Sequence, residues 1–170
     1  MHMALTFSIA TEADAGAIAS LRTAAADHLS HRYGQGPWSS PSTERGVLRH
    51  LSRPKFSRTL IASDGPQIIA VLCLQTKKPW AIDVAYFTSV KKALYLIGMA
   101  VHPERQGEGV GRMILKEAEA HARTWPGDAI RLDAWNADAG AGPFYAKCGF
   151  RETGRVVYRQ APLVYFELLL

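Results

Sequence analysis

One stretch restricts the fold more than any other. Residues 94–101 form an apolar strand-like run, His102-Pro103-Glu104-Arg105 follows, and then comes Gln106-Gly107-Glu108-Gly109-Val110-Gly111-Arg112. From about 109 to 124 the pattern turns helical, with Val110, Met113, Ile114, Glu117, Ala118 and His121 on one line. A strand feeding a helix in this way needs a sheet beside it and helices over it. Gly107, Gly109 and Gly111 remove side chains, so backbone N–H groups can close on an anion. The helix start adds unsatisfied donors and the positive end of the dipole. Each such contact is worth only ~0.3–1 kcal/mol, so several must converge. Arg105 and Arg112 can add charge-assisted bonds.

The remaining elements follow from period and punctuation. Residues 7–10 read as a short strand. Thr11-Glu12-Ala13-Asp14 has the spacing of a capping box, and Ile18, Leu21, Ala25 and Leu29 continue at helical spacing to about Tyr33-Gly34. Gly34 to Pro41 is loop. Ser42 or Thr43 caps a second helix carrying Val47, Leu48 and Leu51. Strands at 59–62 and 68–75 are joined through Ser63-Asp64-Gly65-Pro66, with Asp-Gly as the turn signal. Gly98 inside the 94–101 strand points to a bulge or to a close approach by another group. Pro126-Gly127 ends the long helix, and 130–135 is another strand. A short helix spans 142–147, with Gly149 at its left-handed end. Strands at 155–159 and 163–169 close the chain. The order β-α-α-β-β-β-α-β-α-β-β implies a mixed sheet covered by helices.

The chain has 170 residues, which suits a single domain over 1–170. No apolar run reaches the ~18 residues a membrane helix needs. Met1-His2-Met3 does not open a signal peptide, so the cytoplasm is the expected location. The net charge is +5, with basic residues scattered rather than striped, which argues against nucleic acid as partner. Mild positive charge suits a polyanionic cofactor. Cys73 and Cys148 offer neither a disulfide framework nor metal-ligand spacing and are expected to be buried thiols.

The turn's composition narrows the anion. A Walker loop needs Lys-Ser/Thr after its last glycine, and Arg112-Met113 stands there. A dinucleotide loop needs a glycine three past Gly109, and Arg112 occupies that place. Gln106-x-x-Gly109-x-Gly111 instead resembles the Q/R-x-x-G-x-G/A signature of the GNAT family of N-acetyltransferases. Phe144-Tyr145-Ala146-Lys147-Cys148-Gly149-Phe150 is similar to that family's second motif. The resemblance covers nearly the whole chain and is most specific over 94–150.

The resemblance implies a mixed, mostly antiparallel sheet with a splayed central strand pair, flanked by helices. It implies acetyl-coenzyme A as cofactor. The pantetheine arm would lie along Met99, Ala100 and Val101, and the pyrophosphate at Gln106, Gly107, Glu108, Gly109, Val110, Gly111 and Arg112. Tyr145 corresponds to the family's general acid. A phenol of pKa ~10 can serve a leaving thiolate without being ionised at rest. Attack needs a neutral amine, and removing an alkylammonium proton at pH 7 costs roughly 4 kcal/mol. Asp133 is the best-placed base, ahead of Glu104 and His102. The family's asparagine usually precedes the tyrosine by seven positions. Here Asn136 precedes it by nine and Asp138 by seven, so either can take the contact.

The acceptor should be read by the first two helices, the 34–41 loop and the segment 79–90. Trp38, Trp80, Tyr86 and Phe87 are aromatic candidates there, and Asp83 or Glu44 can pair with an amine. The expected activity is acetyl transfer to a primary amine of a small molecule or peptide, with no metal, no nucleic acid and no membrane, and with room for a homodimer. The alternative is a non-catalytic acetyl-coenzyme A-binding sensor or regulatory domain.

Overall fold

A computed structural model describes residues 4–170; Met1-His2-Met3 lies outside the described residues. The chain runs β1 (Thr6–Ile9), α1 (Ala15–Tyr33), α2 (Glu44–Leu51), β2 (Ser57–Asp64), β3 (Gln67–Gln75), β4 (Ala93–Val101), α3 (Val110–Thr124), β5 (Ala129–Trp135), α4 (Gly142–Lys147), β6 (Arg151–Tyr158) and β7 (Ala161–Leu169). The seven strands form one sheet in the order β1-β2-β3-β4-β5-β7-β6. Strands β4 and β5 run parallel, and the other neighbouring pairs are antiparallel. This is the mixed, mostly antiparallel architecture the sequence implies.

Both faces of the central strands are covered, so β3 reads as a nearly continuous apolar run rather than an alternating one. On one face Ile114, Leu115 and Ala118 of α3 pack on Leu72, Leu94, Leu96, Ile130 and Leu132. On the other, Ile18, Leu21 and Val47 of α1 and α2 pack on Ile61 and Val71. Cap chemistry sets both of these helix starts. The Thr11 N–H donates to the Asp14 carboxylate at 2.8 Å just before α1. Thr43 Oγ1 accepts from Gly46 N–H at 3.1 Å, which makes Thr43 rather than Ser42 the cap of α2.

Several boundaries differ from the sequence reading. Strand β2 extends to Ser57 and Asp64, because its polar ends pair with Gln75 and Gln67 across the ladder. The hairpin loop is therefore Gly65-Pro66, with Gly65 at φ +57°, rather than a turn centred on Asp-Gly. Strand β6 begins at Arg151, not 155. It is an exposed edge strand whose register shifts between Glu152 and Gly154, so no clean alternation marks its start. Cys73 is buried as expected, whereas Cys148 is only half-buried, since it lies at the end of α4.

The long connection from β3 to β4 is tied to the sheet by buried polar groups. Ile82 packs with Tyr95 and Tyr165. The Tyr165 hydroxyl donates to the Ala81 carbonyl and accepts from Asp83 N–H. Arg131 Nε donates to Glu167 at 3.1 Å, and its Nη groups reach the Tyr95 hydroxyl and the Thr88 carbonyl. Glu167 is 2% exposed, so removing it strands a buried cation. Glu167→Leu should therefore lower the unfolding free energy by about 3–5 kcal/mol in a urea titration; a loss below about 1 kcal/mol would mean that the pair is dispensable.

Candidate functional site

A break in the sheet creates the site. Strands β4 and β5 pair only at Ala93↔Ala129, Leu94↔Ile130 and Tyr95↔Arg131. Beyond that rung they part. On the other side of β4, Val71 pairs with Ala100 and Cys73 with Ile97. Gly98 and Met99 thus oppose Leu72 alone, which is a bulge. Gly98 is held at φ +60°, a conformation that favours glycine. The bulge at Gly98 is where the sequence placed it.

Strand alternation shows which backbone groups line the opening. His102 N–H donates to Ile69 O on β3. By alternation the groups of Ala100 also face β3, and those of Met99 and Val101 face the notch. One acceptor there is in use, since Gln106 Nε2 donates to Val101 O at 3.1 Å. That bond folds the turn back onto the end of β4.

The glycine turn continues from the notch. Gly107 and Gly109 stand at φ +81° and +82°, and Gly109 is the residue before α3. A Cβ on either would meet nothing within 4 Å, so both face open space. Among the described residues, no backbone N–H from 107 to 112 donates to a carbonyl; Met113 N–H to Gly109 O is the first bond of the helix. Converging free N–H groups at a helix start fit a pyrophosphate. Gly111 serves packing instead, because a Cβ there would lie 3.2 Å from Phe144. Arg105 ion-pairs with Asp64 and Glu108, both at 2.8 Å, so it and Glu108 brace the turn. Arg112 reaches the Lys147 carbonyl at 3.4 Å.

Tyr145 and Met99 meet at the notch. The Tyr145 hydroxyl donates to Met99 Sδ at 3.5 Å, and its ring stacks edge-on with Phe144 and Phe150. Burial pushes the phenol well above its ordinary pKa, and the charge of Asp133 adds to this. Asp133 lies opposite Tyr165 on β5, on the α1 side of the sheet. Burial raises its carboxyl too, against a hydrogen bond from its own backbone. Asp133 and Tyr145 thus approach the opening from opposite faces.

Other expected residues are placed elsewhere. Asn136 and Asp138 are exposed and line a cleft of about 490 Å³ with Pro143, Ala146, Glu152 and Arg155. Met99, Tyr145 and the glycine turn do not line that cleft. His102 Nδ1 accepts from Glu104 N–H, so His102 is occupied in capping its own turn. Asp83 likewise caps a short turn at Ala85. Trp80 is 81% exposed and Trp38 donates to Gly34 O, whereas Tyr86 and Phe87 pack against Tyr165. No group of His, Cys, Asp and Glu among the described residues can hold a metal ion, and no helix among them is long and apolar enough to cross a membrane.

Sequence reasoning passed over Arg22. It stands four residues after Ile18 on the inward line of α1, and a charge interrupting that line was the available signal. Its Nε donates to Gly98 O at 2.9 Å. A Cβ on Gly98 would sit 2.6 Å from its Nη2, a second reason for glycine there.

The acetyltransferase (GNAT) family model matches residues 23–150. An aminoglycoside N(6')-acetyltransferase type 1 of Stenotrophomonas maltophilia is 39% identical over 69 residues. That match takes in 41% of this chain and 45% of the relative, so the chain spans less than half of that protein's length. The fold is similar to the Salmonella typhimurium protein yncA, solved with its cofactor acetyl-CoA (TM-score 0.72, 18% identity, 98% of this chain and 94% of that one). It is also similar to the ribosomal-protein-alanine N-acetyltransferase of Brucella melitensis (TM-score 0.72, 19% identity, 97% and 99%).

A carboxyl with a native pKa above its unfolded value binds its proton more tightly when folded. It therefore costs stability as pH rises through the native pKa, and the cost vanishes below the unfolded value of about 3.9. Asp133 is such a group. Asp133→Asn should be more stable than the parent at pH 7, with the gain shrinking as thermal unfolding is repeated toward about pH 4. A variant less stable by the same margin at both pH values would contradict this.

Proposed function

The chain belongs to the GNAT acetyltransferase family, and on that premise we propose that it moves an acetyl group from acetyl-coenzyme A to a primary amine of a small molecule or peptide, by direct attack in a ternary complex. The observation that carries the reading is the continuity of notch and cradle. The parting of β4 from β5 after Tyr95 leads straight into the free N–H groups of 107–112. An extended arm ending in a pyrophosphate needs both, in that order. The reading takes 1–170 as one domain, since the core clusters share one sheet.

Acetyl-coenzyme A, when bound, supplies the acetyl group as a thioester, so an N–C bond forms as the C–S bond breaks. Met99 and Val101 offer backbone groups to the pantetheine arm, with Ala100 beside them. Gln106 holds the turn in place. The amides of Gly107, Glu108, Gly109, Val110, Gly111 and Arg112 take the pyrophosphate charge. Asp133 takes the amine proton. Its burial raises its pKa toward the working pH, which makes it a better base than a solvated aspartate. Tyr145 keeps its proton at rest and points its hydroxyl into the notch, where a departing thiolate needs a donor. A thiol has pKa ~8.5, below that of the phenol, so Tyr145 stabilises the thiolate by hydrogen bonding more than by complete proton transfer. Asn136 and Asp138 fit a contact with the outer part of the cofactor less well, given the separate cleft they line.

Thiol release from acetyl-coenzyme A in the presence of an amine panel tests the reading. Turnover with at least one primary amine is expected. Cofactor-induced thermal stabilisation without turnover of any amine would make the chain a sensor rather than an enzyme. Tyr145→Phe should lower kcat on the order of 100-fold with little change in cofactor affinity; unchanged kcat would remove Tyr145 from the chemistry. Gly109→Asp combines a strained φ with a negative charge at the anion site and should abolish stabilisation by acetyl-coenzyme A. Retained stabilisation would place the pyrophosphate elsewhere.

A further inference from the structure

From the position of Arg22, we propose that the acceptor amine carries a carboxylate, as a small amino acid does, and that Arg22 binds it. This rests on the acetyl-transfer reading above and specifies its acceptor. Arg22 leaves α1 and reaches across to the β4 bulge, where Nε donates to Gly98 O at 2.9 Å. Its two Nη groups have no hydrogen-bond partner among the described residues, and no Asp or Glu pairs with it. The other inward arginines are treated differently. Arg131 is satisfied by Glu167, Tyr95 and Thr88, and Arg105 by Asp64 and Glu108. A half-buried guanidinium held by one carbonyl, with its fork left open, has the geometry for bidentate capture of a carboxylate.

The surroundings agree. Burial lowers the Arg22 pKa, with no carboxylate near enough to offset it. His50 on α2 is held below its ordinary value by burial and then by the positive charges of Arg22 and Arg53. Asp133 faces the same side of the sheet from β5. The last rung between the parting strands is Tyr95↔Arg131, so Ile97 and Asp133 come level two residues on, and the Gly98 bulge follows directly. Asp133 on β5 and the open guanidinium of Arg22 over the β4 bulge thus stand on the same face of the sheet, on either side of the strand parting. An amino acid brings an amine and a carboxylate two bonds apart, with charges matching that order. The amine reaches Asp133, which takes its proton, while Arg22 fixes the carboxylate and so orients the nitrogen toward the notch. A polycation such as an aminoglycoside has no anionic group for Arg22.

The test uses the full-length protein with acetyl-coenzyme A and matched acceptors: amino acids, their carboxamides, the corresponding decarboxylated amines, and an aminoglycoside. Thiol release gives kcat and KM, and mass spectrometry confirms N-acetylation. The expected result is preference for the acids, with Arg22→Gln raising their KM about ten- to a hundredfold and leaving the carboxamides nearly unchanged. Arg22→Lys should recover part of the loss. Stabilisation of Arg22→Gln by acetyl-coenzyme A shows that the bulge and cradle survive the substitution. Equal KM for acids, carboxamides and amines, or preference for the aminoglycoside, would overturn the carboxylate assignment while leaving acetyl transfer intact. No N-acetylation of any acceptor would overturn both.

Discussion

The loss of pairing between β4 and β5 beyond Tyr95 and Arg131 is the constraint on which the rest of the site depends. A parallel pair in the middle of a sheet is ordinarily hydrogen-bonded along its length. Here the Gly98–Met99 bulge turns β4 away, and the backbone groups of Met99 and Val101 are left facing an opening. Unpaired backbone groups in a sheet interior are costly. They persist because β3 holds β4 firmly on the other side and because α1 sends Arg22 to the bulge. The opening then leaves two things side by side: the unpaired backbone edge of β4 and, beyond its end, the amides of 107–112.

Asp133 and Tyr145, on opposite faces of the sheet, share one electrostatic neighbourhood. Each is pushed toward its neutral form by burial, and Asp133 pushes Tyr145 further. One consequence is chemical, since a carboxyl and a phenol both shifted upward have the pKa order that the proposed proton removal and thiolate stabilisation call for. The other is thermodynamic, because a desolvated carboxylate weakens the fold at neutral pH. The ion pair of Arg131 with Glu167 sits on the paired side of the splay, where it fastens the 77–92 connection to the last intact rungs. The sheet is closed and braced below Tyr95 and open above it.

Much of this was legible in the sequence where the signal is local. The strand, glycine turn and helix of 94–124, the bulge at Gly98 and the capping box at Thr11 all depend on residues within a few positions of one another. What escaped depends on side chains far apart in the chain. Arg105 meets Asp64 across 41 residues, Arg131 meets Glu167 across 36, and Arg22 meets Gly98 across 76. No period or motif fixes such pairs. The edge strand β6 was read short because exposure removes its alternation. Asn136 and Asp138 were matched by spacing to a motif, and the structure sets both on the rim of a cleft with residues of α4 and β6.

Amide hydrogen exchange with and without acetyl-coenzyme A tests the central claim, that the notch and the glycine turn form one continuous cofactor site. Protection should appear together at the backbone of Met99, Val101 and residues 107–112, and not at residues 136–138. Protection confined to 136–146, or no change across 99–112 at saturating cofactor, would contradict it.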